Sequence, residues 1–140
     1  MNEEKESWLR EFAQRYTAAW CSQDAPSVAK FFSLRGSLTI NGGIPAVSRE
    51  AITQAAQAFM TAFPDLVVMM DNLLDRGDMI IYKWTLTGVN SGPGGTGKQV
   101  RISGFEEWQF GSDGLIAESQ GHFDAAEYQR QVEHGVGGNV

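Results

Sequence analysis

Glu106 occupies a position in the sequence where a carboxyl group is unusual. Apolar and polar side chains alternate over residues 100–110 as in a β-strand, and Glu106 falls in the same row as Ile102, Trp108 and Phe110. If that row faces the protein interior, desolvation disfavours the charged carboxylate. The carboxyl group can then serve as a neutral hydrogen-bond donor or as a proton reservoir.

Two other interpretations of Glu106 stay open at the level of the sequence. Its row could face solvent, or its carboxylate could pair across strands with Arg101 or Lys83. Either arrangement would leave an ordinary ionised carboxylate with a structural role.

Asp124 ends the last predicted strand and precedes a helix, so the sequence allows it two roles. Aspartate is a preferred N-cap of a helix, and a carboxylate at the mouth of a cavity can act as a general base. His122, two residues earlier, is either a proton partner of this aspartate or a half-exposed strand residue.

The aromatic residues are numerous for a short chain, with 4 Trp, 3 Tyr and 8 Phe. Trp8, Phe12, Tyr16 and Trp20 recur every four residues and predict one aromatic face on a helix. If Tyr16 is buried, its hydroxyl group needs a hydrogen-bond partner, either in a packed core or in a cavity. The same choice between core and cavity applies to Trp20, Trp84, Trp108 and Tyr82.

The glycine-rich segment 92–98 has the spacing of a phosphate-binding loop without its context. Its G-x-x-x-x-G-K pattern is followed by Gln99, where the motif needs a Ser or Thr for Mg²⁺. The chain then continues as a strand, whereas the motif must open a helix whose N-terminus faces the phosphates. A hairpin loop is therefore expected.

Length and charge restrict the remaining classes. A chain of 140 residues with 42% hydrophobic residues supports one domain, spanning 1–140. The net charge of −6 argues against binding to nucleic acid or to an anionic membrane surface.

The single cysteine, the two histidines and the N-terminal segment restrict the possible classes of protein further. With Cys21 as the single cysteine, no internal disulfide can form, and His122 and His134 lack metal-ligand spacing. The acidic N-terminus does not resemble a signal peptide, and no window approaches the ~18 apolar residues of a membrane span. A cytoplasmic protein without a metal or cofactor is expected.

The periodicity predicts an α+β fold in which helices precede a run of antiparallel strands. A strongly curved sheet wrapped on the first helix would enclose a cone with an interior. The predicted helices span 3–23, a short segment capped by Asp24 and ending near Phe32, 49–63 capped by Ser48, and 125–133. The predicted strands span 37–41, 66–74, 79–88, 100–110 and 115–123.

Several segments resemble the SnoaL-like polyketide cyclases. The helix-to-strand junction at residues 59–66 is similar to theirs, as are 76–78, 87–90 and 113–118, and the resemblance covers most of 51–131. It implies the α+β cone of the nuclear-transport-factor-2-like and ketosteroid isomerase superfamily. It also implies a homodimer formed through the outer face of the sheet.

The resemblance also implies roles for individual residues. In such cyclases an aspartate near the end of the last strand is the acid/base for an intramolecular aldol condensation, and Asp124 matches its position. The chain departs from the family at Asn90, where a histidine is common, and at residues 119–120, where His-Trp is common.

Residues 15–32 are similar to the opening of the ketosteroid isomerases. Tyr16 falls at their oxyanion-binding tyrosine and Glu106 near the protonated acid that assists it. Their catalytic base falls at Ile40, which cannot accept a proton. The two resemblances together imply a composite site, with Asp124 as the base and with Tyr16 and Glu106 as stabilisers of an enolate.

We therefore expect the cone to bind a small apolar carbonyl compound, cyclic or polyketide-like, and to transfer a proton next to its carbonyl group without a cofactor. His122 and Asn90 are expected to be polar contacts of this ligand. The walls are expected to include Trp20, Trp84 and Trp108.

Two alternatives to this function stay open. One is a ligand-binding or protein-interaction module without chemistry, because one fold supports many functions. The other is an epoxide hydrolase, which would need an Asp–Arg–Asp set around a water molecule. Arg101 is the arginine nearest to Glu106 in the sequence, but the strand alternation points it to the opposite face.

Overall fold

The computed structural model describes residues 2–137, which form four helices and one six-stranded curved sheet. The predicted α+β class is confirmed. None of the described helices has the length and apolar character needed to cross a membrane. The helices are α1 (Asn2–Trp20), α2 (Ala25–Ala29), α3 (Arg49–Ala62) and α4 (Ala125–His134). The strands are β1 (Phe32–Ile40), β2 (Ala46–Val47), β3 (Val67–Asp75), β4 (Ile80–Val89), β5 (Gln99–Phe110) and β6 (Ile116–Phe123).

The sheet has the strand order β2-β1-β6-β5-β4-β3. Strands β3 to β6 pair in sequence as an antiparallel meander, whereas β1 pairs with β6 in parallel. This parallel pair places Ile40 beside Gly121, and the next antiparallel pair places Gly121 beside Glu106. Residues from the two halves of the sequence therefore meet on one face of the sheet.

The largest boundary errors of the sequence prediction concern β1 and the elements before it. The strand begins at Phe32 instead of residue 37, because its register with β6 shifts between Phe32 and Ser37 and interrupts the alternation. α2 accordingly ends at Ala29. α1 ends at Trp20 because the chain turns at once, with Gln23 in the left-handed region at φ 62°.

The two predicted N-caps behave differently. Ser48 accepts a hydrogen bond from the Ala51 backbone N–H and caps α3, as predicted. Asp24 stands at the N-cap position of α2 but makes no side-chain cap bond there. β2 has two residues, too few for the alternation that identifies a strand.

The aromatic face of α1 packs against the inner face of the sheet. Phe12, Tyr16 and Trp20 are buried. The Tyr16 ring lies 5.1 Å from the Trp108 ring and 5.4 Å from the Tyr82 ring, in edge-on geometry. These contacts fix the height of α1 above β4 and β5.

The outer face of the sheet is more accessible. Val67 and Met69 are exposed on β3, and Phe105 stacks on His122 with the ring centroids 4.8 Å apart. The homodimer through this face stays a prediction.

Candidate functional site

A cavity of about 60 Å³ lies between the inner face of the sheet and the helices α1, α3 and α4. It is partly open to solvent, and the half-buried side chains of Ile40, Phe59, Phe123 and Tyr128 are its most accessible walls. The lining residues are Trp20, Phe59, Tyr82, Trp84, Phe123, Tyr128, Leu38, Ile40, Val68, Leu86, Ile102, Gly121 and Glu106.

Among the described residues that line this cavity, Glu106 is the only acidic or basic one. Along β5, Ile102, Glu106 and Trp108 are buried while Arg101 and Gln109 are exposed, so the predicted inward orientation is confirmed. Glu106 has 7% of its surface exposed. It makes no ion pair within the described part of the chain, and both Arg101 and Lys83 are exposed, so the alternative of pairing with either of them is wrong.

Three side chains from different elements donate hydrogen bonds to the Glu106 carboxyl group. The Trp108 indole Nε1 lies 2.8 Å from Oε1, and the Ser119 Oγ lies 2.7 Å from the same oxygen. The Tyr16 Oη lies 3.0 Å from each of the two oxygens. The carboxyl group is thus tied to α1, β5 and β6 at once.

Burial and hydrogen bonding act on Glu106 in opposite directions. Removal from water raises its pKa above the ordinary value, and the hydrogen bonds from Ser119, Trp108 and Tyr16 offset part of that rise. The pKa of the Tyr16 hydroxyl is raised well above its ordinary value, first by burial and then by the charge of Glu106. Tyr16 therefore stays a neutral donor.

The two carboxyl oxygens of Glu106 differ in what they can still bind. Oε1 already accepts hydrogen bonds from the Trp108 indole N–H and from the Ser119 hydroxyl. The indole N–H can only donate, and the Ser119 hydroxyl has no other hydrogen-bond partner in the described structure. Oε2 has the shared contact with Tyr16 alone. A proton on this carboxyl group therefore belongs on Oε2, the oxygen with fewer donors.

Five aromatic rings of the cavity lining form a continuous wall. Consecutive rings meet at interplanar angles of 66–72°, with centroid distances of 6.2, 6.4, 5.5 and 6.0 Å. In order along the wall they are Trp20, Phe59, Tyr128, Phe123 and Trp84. We call this set the aromatic wall.

Asp124 does not join Tyr16 and Glu106, so the predicted convergence of these three residues is wrong. Asp124 is exposed and is not among the cavity-lining residues. Its Oδ1 accepts a hydrogen bond of 3.0 Å from the Glu127 backbone N–H at the start of α4. Of the two roles that the sequence allowed, the carboxylate performs the helix cap.

His122 faces the outer side of the sheet, away from the cavity. Its Nε2 lies 2.9 Å from Glu107 Oε1, and its ring stacks on Phe105. With Asp124 it borders a shallow surface groove that is separate from the cavity. His122 therefore does not line the cavity that contains Glu106, and its contact with a ligand stays a prediction.

Asn90 closes the glycine-rich loop instead of contacting a ligand in the cavity. Its Oδ1 accepts from the Thr96 backbone N–H at 2.8 Å, and its backbone bonds to Lys98 and Gly97. The predicted hairpin loop is confirmed, and the buried amide of Asn90 holds it together. Asn90 lies outside the cavity lining, and its contact with a ligand stays a prediction.

The three predicted wall tryptophans divide into two groups. Trp20 and Trp84 line the cavity. Trp108 is fully buried behind Glu106, to which it donates, and it stacks on Tyr82 with the ring centroids 4.8 Å apart. Trp108 therefore positions the carboxyl group and does not form a wall.

Sequence reasoning missed Ser119, Phe59, Tyr128 and Gly121 as site residues. Ser119 is opposite Trp108 in the β5–β6 register, so a correct register would have found it. Phe59 and Tyr128 belong to helices whose docking over the cavity leaves no mark in the sequence. Gly121 has no side chain, so no sequence pattern identifies it as a lining residue.

The pH dependence of stability should identify the buried carboxyl group. Because the pKa of Glu106 is raised in the folded state, the folded protein binds a proton that the unfolded chain has already lost. The free energy of unfolding should therefore fall as pH rises from the ordinary glutamate pKa through the raised one. Glu106→Gln lacks this contribution, whereas every other titratable group is the same in the variant and in wild type. Urea unfolding of both proteins over this pH range measures the difference; parallel profiles would contradict the assignment.

Comparison with known proteins places the chain in a family. The model of the family described as SnoaL-like polyketide cyclase matches residues 10–132. No curated protein sequence shows significant similarity to the chain.

Solved structures show the fold at low sequence identity. A protein from Catenulispora acidiphila DSM 44928, with a ketosteroid isomerase-like fold and in complex with trimethylamine, is 15% identical with a TM-score of 0.77, covering 87% of this chain and 92% of its own. A candidate SnoaL-like polyketide cyclase from Jannaschia Sp. CCS1 is 16% identical with a TM-score of 0.73, covering 90% and 94%. The epoxide hydrolase/cyclase-like enzyme SalBIII, of pyran ring formation in the polyether salinomycin, is 14% identical with a TM-score of 0.72, covering 91% and 97%.

These solved structures share the fold of the chain, and the family model covers most of its length. The protein therefore belongs to the SnoaL-like polyketide cyclase family.

Proposed function

We propose that the cavity binds a small apolar compound by its carbonyl group and that neutral Glu106 donates the hydrogen bond that anchors it. The observation that carries this proposal is a single carboxyl group, with one oxygen already satisfied by donors, at an otherwise apolar surface. A carbonyl oxygen is an acceptor that such a surface can recognise. A buried acceptor and donor that find each other avoid the cost of an unsatisfied polar group.

The same carboxyl group is the candidate general acid for proton exchange next to the carbonyl. It would give its proton to the carbonyl oxygen while a water molecule at the open side of the cavity takes up the α-hydrogen, and the protonated water would then return a proton to Glu106. A general acid or base in position contributes roughly 10²–10⁴ in rate. Tyr16 supports this chemistry as a positioning residue, because it bonds to Glu106 and is not part of the cavity lining. Asp124, which was expected to be the base, has no part in the proposal.

The epoxide hydrolase alternative lacks its residue set. Within the described residues, the cavity lining contains no arginine and no second carboxyl group beside Glu106. Arg101 is exposed on β5, on the opposite face from Glu106. An Asp–Arg–Asp set around a water molecule therefore does not form in this cavity.

An alkylammonium ion is a second candidate ligand, favoured by the aromatic wall. Ring faces attract a cation, and an ionised Glu106 would supply the opposite charge. The Catenulispora acidiphila neighbour was solved with trimethylamine, which supports this candidate at the level of the fold. A carbonyl compound and an ammonium ion require opposite protonation states of Glu106, so the two proposals can be separated.

Binding of a carbonyl compound should weaken as pH rises. Ionised Glu106 has no proton to donate, so the dissociation constant of cyclohexanone, labelled with ¹³C at the carbonyl, should increase through the raised pKa of Glu106. Glu106→Gln retains an N–H donor and should bind without this pH dependence. Titrations followed by the ¹³C chemical shift of the bound carbonyl measure the dissociation constant and its dependence on pH. Asp124→Asn, which keeps a good N-cap, is the matched control and should behave as wild type.

Exchange of the α-hydrogens of cyclohexanone for deuterium separates an enzyme from a binding module. If Glu106 transfers protons, the wild-type protein should accelerate the exchange in D₂O, and Glu106→Gln should reduce that acceleration by roughly 10²–10⁴ while still binding. Proton NMR follows the loss of the α-signals. Binding without acceleration by wild-type protein would support the non-catalytic module.

Binding of tetramethylammonium should show the opposite pH dependence if the second candidate is correct. This cation cannot lose a proton, so every change in its affinity comes from the protein. Its binding should strengthen as Glu106 ionises. Glu106→Gln should weaken binding above the raised pKa of Glu106, where the wild-type carboxylate is charged, and should remove the pH dependence. Calorimetric titration over the same pH range measures it; affinity that is independent of pH would exclude this candidate.

A further inference from the structure

We propose that Gly121 is a specificity-determining residue, which leaves the space needed by a carbonyl compound with carbon substituents on both sides of its oxygen. The proposal rests on the proposed function and names the class of ligand more narrowly. Gly121 is buried and lines the cavity on β6. It has Ile40 as its neighbour on β1 and Glu106 as its neighbour on β5.

The backbone at Gly121 does not require a glycine. It is absent from the residues with positive φ, so an L-amino acid can adopt its conformation. A Cβ atom built there would lie 3.7 Å from the Thr39 carbonyl oxygen, 3.8 Å from Glu106 Cγ and 4.0 Å from Ile40 Cγ1. These are ordinary van der Waals distances.

At other glycines within strands, by contrast, a Cβ atom would clash with its surroundings. At Gly104 a Cβ atom would lie 2.3 Å from the His122 carbonyl oxygen and 2.6 Å from Trp84 Cζ2. At Gly36 the Ile116 carbonyl oxygen would lie at 2.9 Å. Gly121 thus differs from them, because its missing side chain opens space beside Glu106 and relieves no clash.

The two flanks of Glu106 across the sheet are unequal. On β4 its neighbour is Tyr82, a buried aromatic residue, and on β6 it is Gly121. A ketone that accepts a hydrogen bond from Glu106 brings carbon atoms to both flanks of its oxygen. One of these must occupy the space above Gly121, whereas an aldehyde has only hydrogen on one side and can leave that space empty.

The test compares two six-carbon probes, cyclohexanone and hexanal, on wild type, Gly121→Ala and Gly121→Val. Cyclohexanone binding should weaken about tenfold or more with Ala and further with Val, since a single methyl-sized change in an apolar pocket is worth about 10–200-fold. Hexanal binding should stay within a small factor of wild type. Fluorescence of Trp20 and Trp84, which line the cavity, reports binding of both probes.

Thermal unfolding of each variant shows whether the fold is retained, and Gly121→Ala supplies the test if the Val variant does not fold. Gly43→Ala, at an exposed glycine outside the cavity, is the matched control and should bind both probes as wild type does. Equal weakening of both probes, or unchanged cyclohexanone binding, in a folded Gly121 variant would overturn the role of Gly121 alone. If wild type binds neither probe, the proposed function is overturned together with it.

Discussion

The burial of one carboxyl group, Glu106, is the constraint on which the rest of the site depends. A carboxyl group removed from water must find hydrogen-bond donors within the protein. Glu106 finds them on α1, β5 and β6, so the helix and both strands have to be in place before the group is satisfied. Trp108 and Ser119 donate to Oε1, and Tyr16 lies at the same distance from both oxygens, so Oε2 has fewer donors than Oε1.

The inward position of Glu106 and the fold class could be predicted from the sequence, for a common reason. Both depend on periodicity, which is a local property of the chain. The alternation along β5 identifies the buried face, and the fourfold spacing of aromatic residues on α1 identifies the face that meets it. The junction of helix and strand at residues 59–66 adds the family resemblance.

The parts that could not be predicted depend on register and on competing uses of one residue type. Ser119 becomes a partner of Glu106 through the pairing of β5 with β6, which interrupted alternation does not reveal. Asp124 illustrates the second limit, because a helix cap and a general base call for the same carboxylate. A departure from regular alternation likewise hides the first half of β1, where the register with β6 shifts.

The parallel pairing of β1 with β6 also has a consequence for the order in which the chain folds. Phe32 pairs with Ile116, and Tyr16 bonds to Glu106 across 90 residues of sequence. Contacts of such separation form late, because the loop between them must be closed first. The meander β3–β6 can assemble from neighbouring strands, but the cavity lacks the walls formed by Trp20, Leu38 and Ile40 until the N-terminal third of the chain docks onto the meander. During synthesis, the N-terminal third can therefore dock only after β6 has been made.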